Sequence, residues 1–123
     1  QFRERTVQKT YHAVVQGHPS PGSRKLDWTM AGKRCLLDFD TLTRGPDSAL
    51  LEVHPHTGRK HQIRKQLAAV GHPILGDLRY GADAPLPQRR IALLARAIEV
   101  EHPTRHERMR FECPIPAWWP LGG

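Results

Sequence analysis

The stretch "SALLEVHPHTGRKHQIRKQLAAVG", residues 48–71, changes its hydrophobic period part-way along and so decides the fold. Its first half places Leu51 and Val53 on one side of an extended segment, the alternation of a half-buried strand. In its second half, apolar residues recur at positions i, i+4 and i+7, on one face of a helix: Ile63, Leu67 and Val70. The stretch therefore predicts a strand, a turn and an amphipathic helix whose apolar face packs on a sheet.

The ends of this helix carry different signals. Gly71 follows the last apolar position and predicts a left-handed residue that ends the helix. Thr57 is a candidate N-cap, although Lys60 stands where a capping box would place Glu or Gln. Cations near a helix N-terminus oppose its dipole, and a bound phosphate would offset that cost. Arg59, Lys60 and His61 are thus either phosphate ligands or solvated surface charges.

Strand patterns lie on both sides of the helix. "TYHAVVQG" sets Tyr11, Ala13 and Val15 on one face, and Gly17 ends the run. Residues 33–43 form a second strand pattern, residues 18–25 are typical of a surface loop, and the connections are too short for parallel crossovers. We therefore expect antiparallel pairing.

The last third predicts a hairpin. Ile98 and Val100 share one face, and a turn-like "HPTRHE" separates them from a second run in which alternate residues again share a face: Met109, Phe111 and Cys113. Trp118 and Trp119, near the chain end, are expected to cover an edge of the core rather than to stack on bases.

Composition limits the partners. The chain has 123 residues, a net charge of +7 and a pI near 10.1, which favour a polyanion. No long apolar stretch or bulky basic amphipathic helix points to a membrane, so we expect nucleic acid as the partner. Cys35 and Cys113 suggest no disulfide framework, and the absence of a signal peptide favours a cytoplasmic protein. Since Gln1 replaces an initiator methionine, we expect the chain to begin part-way through a larger protein.

A metal enzyme is a further hypothesis, prompted by four histidines: His54, His56, His61 and His72. His54 and His56 are predicted to share a strand face, but no carboxylate or cysteine nearby in sequence completes a ligand set. We expect no metal site, with the histidines solvated beside basic residues.

Three segments together resemble the RluA-like family of RNA pseudouridine synthases: "KTYHAVVQG", "LLEVHPHTGRKHQIRKQLAAVGHPILGDLRYG" and "EHPTRHERMRFECPIPAWWP". They follow one another in the family's order and cover most of the chain. The resemblance implies an α+β fold with a mixed, mainly antiparallel sheet and flanking helices, of which residues 1–123 would be the C-terminal portion of the catalytic domain. It also implies isomerisation of a uridine in rRNA or tRNA by a monomer, with no metal or organic cofactor.

The resemblance assigns roles residue by residue. Tyr11 corresponds to the tyrosine that packs against the target base, and Arg64 to the arginine that pairs with the catalytic aspartate. The "TGRKH" turn would bind RNA through Thr57, Gly58, Arg59, Lys60 and His61, with Arg59 and Lys60 on phosphates. Asp77 matches a structural position of the family.

The chain also departs from the family pattern. The arginine-leucine-aspartate motif that carries the nucleophile is absent, so Arg64 is expected to lack its carboxylate partner. Leu94 stands where many relatives have histidine, and Lys60 replaces a common Thr or Ser. An RNA-binding module without catalytic activity therefore remains an alternative to a synthase.

Overall fold

A six-stranded antiparallel sheet forms the body of the molecule in the computed structural model, which describes residues 7–101, 104–105 and 107–121. The strands are β1 (Val7–Gln16), β2 (Arg24–Met30), β3 (Lys33–Arg44), β4 (Ser48–Pro55), β5 (Leu93–Glu101) and β6 (Arg108–Glu112). Their order across the sheet is β2-β3-β4-β1-β5-β6, and every named pair is antiparallel. The predicted antiparallel pairing is confirmed, and the described residues contain one α-helix, α1 (Gln62–Ala69).

β1 lies inside the sheet, between β4 and β5, and this position changes its burial pattern. The sequence predicts alternation along β1, yet Ala13, Val14 and Val15 are all fully buried. Successive side chains point to opposite faces, so this end of the strand is covered on both sides. Beyond the first residue of β5, Leu93, the turn after α1 continues the pairing with β1, and Leu75 N–H donates to the Val14 carbonyl at 2.9 Å.

β2 corrects the prediction for the segment after Gly17. The expected loop at 18–25 ends two residues early, because β2 begins at Arg24 and pairs along β3. Leu26 is buried opposite Leu37, and Trp28 lies opposite Cys35. Alternating apolar residues in "RKLDWTM" fit a strand with one face on the core.

α1 packs its predicted apolar face on the sheet. Ile63 and Leu67 are buried and Val70 is partly buried against the same core. The helix ends as predicted at Gly71 (φ 90°), with Gly71 N–H donating to Ala68 and His72 N–H to Leu67, the bonding pattern of a Schellman motif.

The core joins the sheet, α1 and the C-terminal segment. Phe39, Leu37 and Leu51 are its largest fully buried apolar side chains. Trp118 and Trp119 belong to the same cluster, which confirms their predicted packing role. Cys35 is buried and Cys113 exposed, and both are free thiols.

The β5–β6 hairpin is confirmed, although part of its connection, residues 102, 103 and 106, lies outside the described residues. β6 is exposed along its whole length, and its Phe111 is 53% exposed. Across the described part of the chain, no helix has both the length and the apolarity needed to cross a bilayer.

Candidate active site

A cleft of about 470 Å³ lies between β1 and the turn that joins β4 to α1. Val7, Ile63 and Leu93 give it apolar walls, and Lys9 adds a cation. Most of the predicted site residues line it: Tyr11, Thr57, Gly58, Arg59, His61 and Arg64. Lys60 is exposed and lies outside this lining. The fold therefore brings six of the seven predicted site residues to one cleft.

Thr57 has a different local role from the one predicted. Its hydroxyl accepts a hydrogen bond from Leu36 N–H at 2.9 Å and donates to Gln62 Oε1 at 2.8 Å. The helix N-cap is His61, which makes no side-chain capping bond, so the N-cap prediction for Thr57 is wrong. The physical reason is that Thr57 lies too far before α1 and ties the turn to β3 instead.

Gln62 adds further hydrogen bonds within this turn and between the turn and β3. Its Oε1 also accepts from Arg59 N–H at 3.1 Å, and its Nε2 donates to the Leu36 carbonyl at 3.1 Å. Arg59 is further anchored because its Nε donates to the Arg34 carbonyl at 3.0 Å. A turn with this many bonds to β3 presents its side chains to the cleft in a fixed arrangement.

His61 adopts a left-handed backbone conformation, with φ 54°, which is uncommon for a residue other than glycine. Its Nδ1 lies 2.8 Å from the hydroxyl of Tyr80, and the two rings meet edge to face with centroids 5.8 Å apart. Desolvation, followed by the cations Arg64, Arg79, Lys60 and Lys65, holds the pKa of His61 below its ordinary value. This lowered pKa favours the neutral imidazole.

Arg64 is held by Asp77, a carboxylate other than the catalytic aspartate that the resemblance assigns as its partner. Its Nε and Nη2 donate to Asp77 Oδ2 and Oδ1, each at 2.8 Å. The hydrogen bonds that Arg64 donates to Asp77 raise the pKa of Arg64, so the guanidinium stays charged. Its side chain is 17% exposed and lines the cleft, as the helix geometry predicted for a residue beside the apolar stripe.

The chain matches the sequence profile of the RNA pseudouridylate synthase family over residues 1–69, more than half of its length. The chain belongs to this family. An uncharacterized RNA pseudouridine synthase of Mycobacterium bovis is 42% identical over 134 residues, covering 94% of this chain and 44% of the relative. The dual-specificity RNA pseudouridine synthase RluA of Haemophilus influenzae is 36% identical, covering 92% of this chain and 59% of the relative.

Solved structures of the family have the same fold. Human RNA Pseudouridylate Synthase Domain Containing 1 superposes with a TM-score of 0.74 at 28% identity, covering 92% of this chain and 56% of that protein. Human RNA Pseudouridylate Synthase Domain Containing 4 matches in fold with a TM-score of 0.72 at 24% identity. The chain thus spans between about 44% and 60% of the length of these family members.

Tyr80 lies beside the cleft and was not among the site residues that the sequence predicted. It belongs to a 3-10 turn, and its ring stacks under Arg64 at 4.9 Å from the guanidinium carbon, with Arg79 at 5.5 Å. The run "GDLRYG" contributes to the family resemblance, but nothing in it indicates which helix residue Tyr80 contacts. Only the fold brings this turn beside α1.

Two histidines outside the family site, His54 and His56, contact carboxylates of β3 and β4, and His56 also lines the cleft. Asp38 bridges His54 at 3.0 Å and His56 at 2.5 Å, and Glu52 lies 3.1 Å from His54. The pairing of β3 with β4 brings Asp38 beside these histidines. Within the described ranges, no group of His, Cys, Asp or Glu side chains is arranged to hold a metal ion.

Proposed function

We propose that this chain is the C-terminal portion of the catalytic domain of an RNA pseudouridine synthase that isomerises a uridine in rRNA or tRNA. One observation carries the proposal: Tyr11 and Arg64 line the same cleft as the cationic turn at residues 57–61. Membership of the family and the strongly basic charge support it. We further propose a monomer in the cytoplasm, a reducing compartment that suits the free thiols of Cys35 and Cys113.

The cleft suits a base that has left its stack. A uridine must be flipped out before its glycosidic bond becomes accessible, at a cost of a few kcal/mol. The apolar walls and Tyr11 would receive the uracil ring, while Arg59 and Lys60 contact neighbouring phosphates. Both phosphate-binding candidates are exposed, as such contacts require.

The reaction itself exchanges one bond for another. The bond from C1′ to N1 breaks, the uracil rotates, a bond from C1′ to C5 forms, and the proton lost from C5 is balanced by one gained at N1. The family's nucleophile is an aspartate that attacks either the ribose or the uracil ring, and no matching motif occurs in this chain. Because the isomerisation is redox-neutral, the proposal needs no oxidant or reductant.

Arg64 would stabilise the ionised nucleophile. A guanidinium beside a carboxyl group lowers the pKa of that carboxyl and keeps it a carboxylate. Arg64 already pairs with Asp77 through Nε and Nη2, so Nη1, which makes no bond to Asp77, is the nitrogen with both hydrogens left for this role. Asp77 is no candidate nucleophile, since it is 1% exposed and bound by Arg64.

The first test compares residues 1–123 with a protein that also carries the aspartate motif. We expect the 123-residue chain to bind RNA without forming pseudouridine, and the longer protein to form it at specific sites. Site mapping after incubation with total RNA measures both. Pseudouridine from the short chain would contradict the missing nucleophile, whereas binding without conversion by the longer protein would favour the RNA-binding module.

The second test separates chemistry from binding. In the longer protein, Arg64→Ala should abolish turnover while leaving RNA affinity mostly intact, because its guanidinium acts inside the cleft. Substituting Arg59 or Lys60 by Ala should weaken binding and reduce the salt slope by about one for each phosphate that the variant no longer binds. Single-turnover rates and binding isotherms at several salt concentrations measure these effects, and the reverse pattern would contradict the roles.

A further inference from the structure

The contact between Arg64 and Asp77 is a rigid junction between α1 and the turn that follows it. Asp77 is almost fully buried, and both its oxygens bind the guanidinium of Arg64. The backbone around Asp77 is itself fixed, because its N–H donates to Ile74 and its carbonyl accepts from Tyr80 and Ala82. A bidentate pair of this kind sets the plane of the guanidinium as well as its position.

Tyr80 fixes the same guanidinium from a second direction. Its ring lies 4.9 Å from the Arg64 guanidinium carbon, a cation–π distance, and its hydroxyl is held by His61 at 2.8 Å. The described residues therefore constrain Arg64 along one edge and over one face. They supply no hydrogen-bond acceptor to the remaining nitrogen, Nη1.

We propose that Asp77 and Tyr80 are positioning residues that orient Arg64, so that its Nη1 donates to an anionic oxygen brought into the cleft during the reaction. This inference rests on the proposed function and deepens it. Asp77 already balances the charge of Arg64. The arginine therefore acts on the incoming anionic oxygen mainly as a hydrogen-bond donor of fixed direction, and less through its net positive charge. Its effect then depends on angle and distance, which Asp77 and Tyr80 set.

A purely structural role predicts something different. If Asp77 only tethers the turn to α1, replacing it lowers the melting temperature but leaves the chemical step of the folded protein unchanged. If Asp77 positions Arg64, the chemical step slows while RNA binding stays the same. Single-turnover kinetics at a temperature well below melting, together with RNA binding isotherms, separates the two.

The experiment uses the longer protein that carries the aspartate motif. Asp77→Asn should slow the single-turnover rate by about tenfold or more, since small misplacements at a reacting centre have effects of that size. The dissociation constant for RNA should stay within about twofold, the scatter expected of an untouched contact. The matched control is Asp27→Asn, which breaks another bidentate pair, with Arg34 at 2.9 and 3.0 Å, between exposed side chains of β2 and β3. This control should leave the rate unchanged.

A double-mutant cycle tests whether Asp77 acts through Arg64. In an Arg64→Lys background, Asp77→Asn should cause little further loss of rate, because the lysine cannot be held in the same plane. Multiplicative losses would overturn the proposal. Should Asp77→Asn fail to fold, Tyr80 gives a second route: Tyr80→Leu should slow the reaction more than Tyr80→Phe, which keeps the ring over Arg64.

A readout without activity keeps the two proposals distinguishable. The Nε–H of Arg64 should give a nitrogen NMR signal protected from solvent exchange, and Asp77→Asn should remove that protection. Loss of protection with an unchanged rate would overturn the positioning role but leave the synthase function intact. A wild-type protein that forms no pseudouridine would overturn the proposed function and, with it, this inference.

Discussion

Among the glycines that the structure describes, Gly76 has the least space for an added Cβ atom. It has φ +83°, in the left-handed region, and a Cβ atom added there would fall on the carbonyl oxygen of Arg90 and against the side chain of Leu86. Backbone cannot move away as a flexible side chain can. Gly76 therefore fixes how closely the turn after α1 approaches the segment that leads into β5.

We expect Gly76→Ala to lower the free energy of unfolding by about 2–5 kcal/mol, from the combined cost of the left-handed conformation and the overlap. Gly22→Ala is the matched control, because Gly22 has φ +91° and nothing within 4 Å of its added Cβ. The control should lose about 1–2 kcal/mol, the conformational cost alone. Urea unfolding curves measure both, and equal losses would contradict the overlap.

Arg64 illustrates what sequence could predict about a single side chain. Helix spacing placed it beside Ile63 and within reach of a pocket, and the structure confirms that placement. Its pairing with Asp77 was not predictable, because it depends on where the turn after α1 crosses the helix. The catalytic role of Arg64 stays a prediction.

At the scale of elements, α1 shows that a helix end is easier to predict than a helix start. Gly71 ends the helix by a local backbone requirement that a sequence displays directly. The start depends on Gln62, whose side chain makes hydrogen bonds to the turn and to β3. A capping pattern in the sequence does not predict such long-range hydrogen bonds. β2 was missed for a similar reason, since its face is defined by its pairing with β3.

We expect Gln62→Leu to destabilise the fold by about 1–3 kcal/mol, because it leaves buried partners without hydrogen bonds. Gln62 is 4% exposed and its amide bonds Thr57, Arg59, Leu36 and Gln66. The same substitution at the exposed Gln8 of β1 is the control and should stay within about 0.5 kcal/mol. Thermal melts of both variants measure the difference, and equal effects would show that the network contributes nothing.

At the scale of the whole molecule, the sheet separates two kinds of surface. One face carries α1 and the cleft, while the other carries a row of histidines and carboxylates from β1, β3 and β4. Net charge predicted the anionic partner, but it could not predict which face is polar and ionisable. That division follows from strand register, which brings His12 opposite Glu52 and Asp38 opposite His54.

The polar face gives stability a pH dependence. Burial is the largest cause that holds the pKa of His12 below its ordinary value; Arg96 also lowers it, and Glu52 acts in the opposite direction. Since the unfolded chain binds this proton more readily, stability should fall as pH drops below about 6.5. His12→Gln should weaken that fall. The free energy of unfolding of the variant relative to that of the wild type should therefore be higher at about pH 5.5 than at about pH 8.

Urea unfolding at both pH values measures this shift. An unchanged difference between wild type and His12→Gln would mean that His12 binds its proton equally in the folded and unfolded states.

Asp38 contributes to the pH dependence in a lower pH range. Desolvation raises the pKa of Asp38, but hydrogen bonds from His56 and His54 together outweigh this effect and lower it. The contribution of Asp38 to stability is therefore lost only as pH falls below about 4.

The interior position of β1 also sets the order in which the molecule can be assembled. β1 is synthesised well before β5, which is one of its two neighbours, and Val7 pairs with Val100. Pairings between residues so far apart close large loops and slow folding. A nascent chain must therefore hold β1, with its run of buried residues, half-paired until β5 has left the ribosome, and this interval is when the chain is most exposed to aggregation.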